Sequence, residues 1–272
     1  MAQRITLNDG RSMPTLGLGT WPMDDAEAER VVERALELGY RHVDTAVRYG
    51  NERGVGRALA ASDLPRDQVF VTTKVDGQHQ GGDKAEDGLR ASLDRLGLEW
   101  VDLLLIHWPL PVRDLYVETW RTFERLQAAG LARSIGVSNF KPAHLERLAR
   151  ETGTMPAVNQ VQLNPYVTRE DHRLYHQEHG IVTVSYSPLG KGGELLEDPA
   201  VTRVAEAHGR TPAQVVLRWH LQLGLVPIPK SSSEQRLREN LDVYSFELTP
   251  DEVLSLSALD RGAGVDSDKV GH

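Results

Sequence analysis

No cysteine occurs among the 272 residues, which rules out disulfides, thiolate metal sites and a cysteine nucleophile. Basic charge is also short. Thirty-one lysines and arginines against 39 aspartates and glutamates leave a net charge of −8, the opposite of the basic face of a general nucleic-acid binder. A local basic pocket for a phosphate stays open under that balance. No apolar run approaches the roughly 20 residues of a membrane helix, and the opening "MAQRITLNDGRSMP" is too polar for a secretory signal. The expectation is a cytoplasmic protein with neither a membrane nor a nucleic acid as partner. Paired "HxH" and "HExxH" spacings are missing too, so a metal-dependent barrel hydrolase built on Asp44 and His107 would lack further ligands. No linker, low-complexity tract or short repeat divides the chain, which reads as one domain over residues 1–272.

What is present is an alternation. Short apolar runs recur along the chain: "TLGL" (15–18), "YRHVD" (40–44), "VFVTT" (69–73), "VDLLLI" (101–106), "RSIGV" (133–137), "AVNQV" (157–161), "IVTVSY" (181–186) and "LVPI" (225–228). Each is too short for most helices and is bounded by Gly, Pro or charge, so each predicts a strand. Helical patterns lie between them. "DAEAERVVERALEL" sets Ala28, Val31, Val32, Ala35 and Leu36 on one stripe, the spacing of an amphipathic helix. Thr211-Pro212 with Gln214, and Thr249-Pro250 with Glu252, spell cap, first-turn proline and capping-box partner. Eight strand–helix units in series predict a (β/α)8 TIM barrel, with an Asn-Asp-Gly hairpin before it and an extra helix near the C-terminal end. The alternative is a doubly wound open sheet. It would want a Gly-rich phosphate loop after the first strand, and "GLGTWP" (17–22) lacks the third glycine.

In such a barrel the chemistry gathers where strands end. The residues there are Asp44, Lys74, His107, Ser138-Asn139, Gln160, Tyr186-Ser187 and Lys230-Ser231. Taken singly, Asp44 reads as a loop cap, Tyr49 as a half-buried packing residue, Lys74 as a solvated lysine and His107 as a satisfied core histidine. Converging on one rim, they need partners or a ligand. Lys74 beside Asp44 would form a partly buried ion pair. A cation near the Tyr49 phenol would favour the phenolate and lower its pKa, making Tyr49 a proton donor to a developing alkoxide. His107 could orient a carbonyl oxygen by a hydrogen bond. That is a carbonyl-reduction kit without a hydride source.

From about Gly17 to about Leu259 the chain resembles the aldo-keto reductases, in particular prokaryotic members of the diketogluconate-reductase type. The matching motifs are "GLGTW", "HVDTA..YGNE.GVGRAL", "VTTKV", "DLLLIHWP", "IGVSNF", "NQVQLNPY", "YSPLG" and "PIPKSSSEQRLRENLDV". The resemblance implies a catalytic tetrad of Asp44, Tyr49, Lys74 and His107, and a reduced nicotinamide cofactor, NADPH, bound without a Rossmann domain. It implies that Ser138, Asn139 and Gln160 hold the carboxamide and that Tyr186 stacks on the nicotinamide. Ser187, Pro188, Leu189 and Gly190, opening "SPLGKG" (187–192), would cover the pyrophosphate. Gly19, Thr20 and Asp44 would lie beside the cofactor. Lys230, Ser231, Ser232 and Arg236 would surround the adenosine 2′-phosphate, with Glu239 and Asn240 near the adenine. Read without the resemblance, "KSSSEQRLREN" is a solvated helix start capped by serine. Two basic groups favour NADPH, because an acidic residue would instead hold a free ribose hydroxyl.

On the substrate side, Trp21 and Trp108 would line an apolar cup with Val47, Arg48, Tyr49 and His107, whereas Trp100, Trp120 and Trp219 read as packing residues. Arg48 is either a rim charge for anionic substrates or a solvent-facing side chain. The segments "PLPVRDLY", "GKGGELLED" and "RGAGVDSDKVGH" look short, predicting an open, tolerant pocket with no deep wall from the tail. The expected activity is reduction of aldehydes and ketones by a monomer. The rival reading is a nicotinamide-binding sensor or interaction subunit with little turnover.

Overall fold

The computed structural model describes residues 3–262 and 264–272. An antiparallel hairpin comes first, β1 (Arg4–Thr6) and β2 (Ser12–Pro14), turning at the expected Asn-Asp-Gly, where Gly10 takes a φ of 82°. Eight parallel strands follow: β3 (Leu18–Gly19), β4 (His42–Asp44), β5 (Phe70–Val75), β6 (Val101–Ile106), β7 (Ala132–Ser138), β8 (Val158–Gln162), β9 (Val182–Tyr186) and β10 (Val226–Pro227). Each pairs with its neighbours in chain order, the arrangement that helical crossovers of one hand produce.

The seam between first and last strand is narrow. Gly17 N–H donates to the Pro227 carbonyl and Gly19 N–H to the Pro229 carbonyl, both at 3.1 Å. These two bonds bring β3 back onto β10 and curl the sheet into the expected TIM-type barrel. Prolines there have no N–H to extend the ladder, which is why "TLGL" and "LVPI" shrink to two-residue strands. The glycines are required by close approach. A Cβ on Gly19 would stand 2.9 Å from the Ile228 carbonyl oxygen, and one on Gly17 would stand 2.7 Å from the His42 ring.

Period-2 alternation sorts the strand residues into two layers. Phe70, Leu103, Leu105, Val158, Val184 and Val226 meet inside the barrel, where Leu7 and Met13 of the hairpin close the end at which the strands begin. Val43, Val71, Leu104 and Ile106 face the other way, against helical residues such as Val31, Ala35, Leu89 and Leu93. Each fully buried aliphatic side chain contributes about 1.5–3 kcal/mol. Helix Asp25–Leu38 buries Ala28, Val31, Val32, Ala35 and Leu36, the stripe its spacing predicts. Thr211 and Thr249 cap helices Pro212–Gln222 and Pro250–Ser257, with Gln214 and Glu252 bonding back. Trp120 and Trp219 are fully buried. Trp100 departs from its expected core role: it is half-buried, with the Arg66 and Arg133 guanidinium groups 3.8 and 3.6 Å from its ring. Among the described residues no helix is long and apolar enough to cross a membrane.

Candidate active site at the strand ends

The alternation that turns Phe70 inward also turns Thr72 and Lys74 inward, so Lys74 is the last inward side chain of β5. Its Nζ donates to Asp44 Oδ1 at 2.5 Å, to the Thr45 carbonyl at 3.0 Å and to the Tyr49 hydroxyl at 3.3 Å. The other Asp44 oxygen accepts from Gln160 Nε2 at 2.8 Å. The two charged side chains are 0% and 2% exposed. Such a pair is tolerable only when its remaining donors and acceptors are also satisfied, and here they are.

Tyr49 ends a single turn of 3-10 helix, Val47–Tyr49, closed by Gly50 at φ 69°. The buried Asn51 fixes this loop. It accepts from the Thr45 hydroxyl at 2.7 Å and donates to the Thr20 and Met23 carbonyls at 3.1 and 3.0 Å. Thr20 in turn bonds the Asp44 carbonyl through its hydroxyl at 3.0 Å, which ties the β3 exit to β4. Next door, buried Glu52 accepts from Thr73 at 2.6 Å and from Arg95 at 2.7 Å. Asn51 and Glu52 carry no mark in the sequence beyond their place in the "YGNE" motif. A polar pair just before a helix, too deep to serve only as a cap, is the signal.

The electrostatics differ from expectation at Tyr49. Burial is the largest influence on the phenol and raises its pKa; the Lys74 cation, which lowers it, does not win. The proton is therefore held above the usual tyrosine range, not loosened. Burial would by itself lower the Lys74 ammonium, but Asp44 and Tyr49 together leave it raised. His107 goes the other way. Burial first, then the Lys74 cation and the neighbouring His272 and Arg48 groups, push it well below the usual imidazole range, so its ring is neutral at pH 7. That ring lies edge-on to Tyr49, with centroids 5.8 Å apart, and its buried Nδ1 has no partner among the described residues. A protonated phenol beside a neutral imidazole can deliver a proton and a hydrogen bond to one oxygen.

Ser138, Asn139 and Gln160 are gathered as expected, and are bonded to one another. The Ser138 hydroxyl donates to the Gln160 carbonyl at 2.8 Å, and Asn139 Nδ2 donates to the His107 carbonyl at 3.0 Å. Asn139, in left-handed backbone at φ 64°, accepts from the Tyr186 hydroxyl at 2.9 Å. The "SPLGKG" stretch opens with Ser187 at φ 50° and runs through Gly190, Lys191 and Gly192, all left-handed. Past β10, Lys230, Ser231, Ser232, Arg236 and Glu239 line a cleft of ≈ 650 Å³, at the start of helix Glu234–Leu241, which Ser233 caps. Asn240 is the exception. It is buried and lies outside that lining.

On the substrate side, Trp108 is nearly buried and Trp21 is 54% exposed, with Lys191 Nζ 6.0 Å from the Trp21 ring. Val47 is half-buried and Arg48 exposed; among the described residues Arg48 makes no ion pair. The tail corrects the expectation of an open mouth, although Ala263 lies outside the described residues. The His272 ring packs 5.6 Å from His107 and 5.7 Å from Trp108, centroid to centroid, and its main-chain oxygen accepts from Gly77 N–H at 3.1 Å. Charge holds the tail there. Lys141 pairs with Asp266 and Asp268 at 2.6 and 2.5 Å, and Arg169 donates to the Val265 carbonyl at 2.6 Å.

Comparison with known proteins identifies the family. The aldo/keto reductase family profile matches residues 15–261. An aldo-keto reductase of Mycolicibacterium vanbaalenii is 52% identical over 258 residues, covering 95% of this chain and 92% of that protein. The 2,5-diketo-D-gluconic acid reductase B of a Corynebacterium species is 49% identical over 268 residues, covering 98% and 97%. A crystal structure of a Gox0644 variant in complex with NADPH superposes with a TM-score of 0.95 at 43% identity, covering 100% of this chain and 99% of that one. The chain belongs to the aldo/keto reductase family of NADPH-dependent oxidoreductases.

Proposed function

We propose that this protein reduces aldehydes and ketones to alcohols, with Tyr49 as the general acid. The observation that carries this reading is the buried Lys74, bonded at once to Asp44 and to the Tyr49 hydroxyl. Reduced nicotinamide, when bound, supplies the hydride. The residues present suit such a group: Lys230, Arg236 and three serines at a capped helix start offer donors to a phosphate, in a cleft that Gln235 and Glu239 also line, and the related Gox0644 variant binds NADPH.

The chain's own part is proton delivery and orientation. The neutral His107 ring has hydrogen-bonding capacity for a carbonyl oxygen. Tyr49, its proton retained by burial, gives that proton to the oxygen as negative charge develops there. Lys74 then faces a phenolate, and its charge stabilises that product of the step. Asp44 keeps Lys74 charged, and Gln160 and Asn51 hold Asp44 and the Tyr49 loop in position. Ser138, Asn139, Gln160 and Tyr186 would orient the nicotinamide. Trp21, Val47, Arg48 and Trp108 would contact the substrate.

The test follows NADPH absorbance with an activated aromatic aldehyde, native chain against Tyr49→Phe. Loss of general-acid catalysis should lower turnover by about 10²–10⁴-fold while NADPH binding, read by tryptophan fluorescence, stays unchanged. Native-like turnover in the variant would remove Tyr49 from the role. Tight NADPH binding by the native chain with no turnover of any carbonyl would instead favour a sensor.

A further inference from the structure

Helix Asp25–Leu38 begins beside the cleft assigned to the 2′-phosphate, and its first turn sets a carboxylate against two of the residues that line it. Glu27 Oε1 accepts a hydrogen bond from the Ser232 hydroxyl and lies 3.5 Å from Lys230 Nζ. These are two of the groups that the phosphate would take. The placement is held from both sides. Asp24 caps the helix by accepting from the Glu27 N–H at 2.8 Å. Further along the same helix, Arg34 pairs with Glu234 at 2.7 Å, tying it to helix Glu234–Leu241, which carries Arg236 into the lining of the cleft. Arg236, by contrast, makes no ion pair among the described residues.

We propose that Glu27 competes with the cofactor's 2′-phosphate for Lys230 and Ser232, and so sets how strongly the enzyme prefers NADPH to NADH. This rests on the reading that Lys230, Ser231, Ser232 and Arg236 form the phosphate site. A 2′-phosphate must displace the carboxylate from both groups and then sit near a like charge. A free ribose hydroxyl brings no charge, leaves Lys230 with its partner and can itself donate to the Glu27 carboxylate, the role an acidic residue fills in NAD-selective sites. Glu27 therefore works against the two basic groups that favour NADPH. The result is a narrowed preference, not a reversed one, because Arg236 stays available to phosphate.

The experiment measures dissociation constants of NADPH and NADH by tryptophan fluorescence quenching on three proteins: native, Glu27→Gln and Lys230→Met. Urea midpoints confirm that each is folded. Removing a half-buried carboxylate competitor should tighten NADPH by about fivefold and leave NADH within about twofold, so the NADPH preference widens. Lys230→Met should weaken NADPH about tenfold with NADH unchanged. An unaltered preference in Glu27→Gln alongside the expected Lys230→Met loss sinks the role of Glu27 alone. An unaltered preference in both shows that the phosphate binds elsewhere, and the proposal falls with the site it rests on.

Discussion

Replacing Asp44 by Asn should destabilise the fold as well as the chemistry, and the size of the loss can be worked from the site. Lys74 Nζ and Asp44 Oδ1 are 2.5 Å apart, with side chains 0% and 2% exposed. Burial penalises the ammonium, and the Asp44 charge is the largest influence opposing that penalty. Asparagine keeps the shape and an acceptor but removes the charge. Lys74 is then left with neutral acceptors only, the asparagine oxygen, the Thr45 carbonyl at 3.0 Å and the Tyr49 hydroxyl at 3.3 Å. Breaking one side of a buried pair costs about 3–5 kcal/mol, which for a chain of this length is roughly 5–10 °C in Tm. Urea unfolding of Asp44→Asn, Lys74→Met and the double variant at pH 7 gives the coupling. The double variant should recover about 2–3 kcal/mol relative to the sum of the singles. A pH series adds a sign. In Asp44→Asn the folded lysine binds protons less readily than the unfolded one, so the deficit should be largest near neutrality and shrink as pH rises toward 10. A single-variant loss under about 1 kcal/mol, or strictly additive losses, would refute the claim that this pair is sealed and mutually dependent.

Two further outcomes test other parts of the structure. Burial, named first among the causes, holds His42 and His176 neutral with pKa values lowered to about 3, and His220 to about 4. Their stabilisation is present above the unfolded pKa near 6.5 and is lost as pH falls toward the folded values. By pH 5.5 the three together should cost about 4 kcal/mol, readable as a lower urea midpoint than at pH 8; equal midpoints would show that these rings are not sealed as neutral groups. Lys141→Ala removes its own two ion pairs to the tail, each worth up to about 1 kcal/mol at this exposure, and leaves the His144 contact with Asp268 in place. It should therefore raise KM for a small aldehyde about fivefold with kcat little changed, and 1 M salt should shift the native enzyme the same way; an unchanged KM in the variant would mean that the tail does not shape the mouth.

Much of this protein was legible in its chain, for local reasons. Period-2 alternation in "VDLLLI" determined which leucines enter the barrel, and a threonine, a proline and a partner three residues past the cap determined where helices Pro212–Gln222 and Pro250–Ser257 start. The order of the motifs pointed to Asp44, Tyr49, Lys74 and His107 before any distance was known. What escaped depends on groups far apart in sequence. Ser232 and Glu27 are 205 residues apart, and nothing near either announces the other. The tail looked too short to matter until Lys141 and Arg169, on distant segments, were seen to hold it against His107. Asn51 stood only as one letter of the "YGNE" motif, and its burial against Thr20 and Met23 exists only once β3 and β4 are side by side. The direction of the Tyr49 pKa is the clearest case. The chain specified a lysine within reach, but whether that cation or the loss of water dominates depends on how deeply the surrounding fold encloses the phenol, and only the tertiary structure decides that.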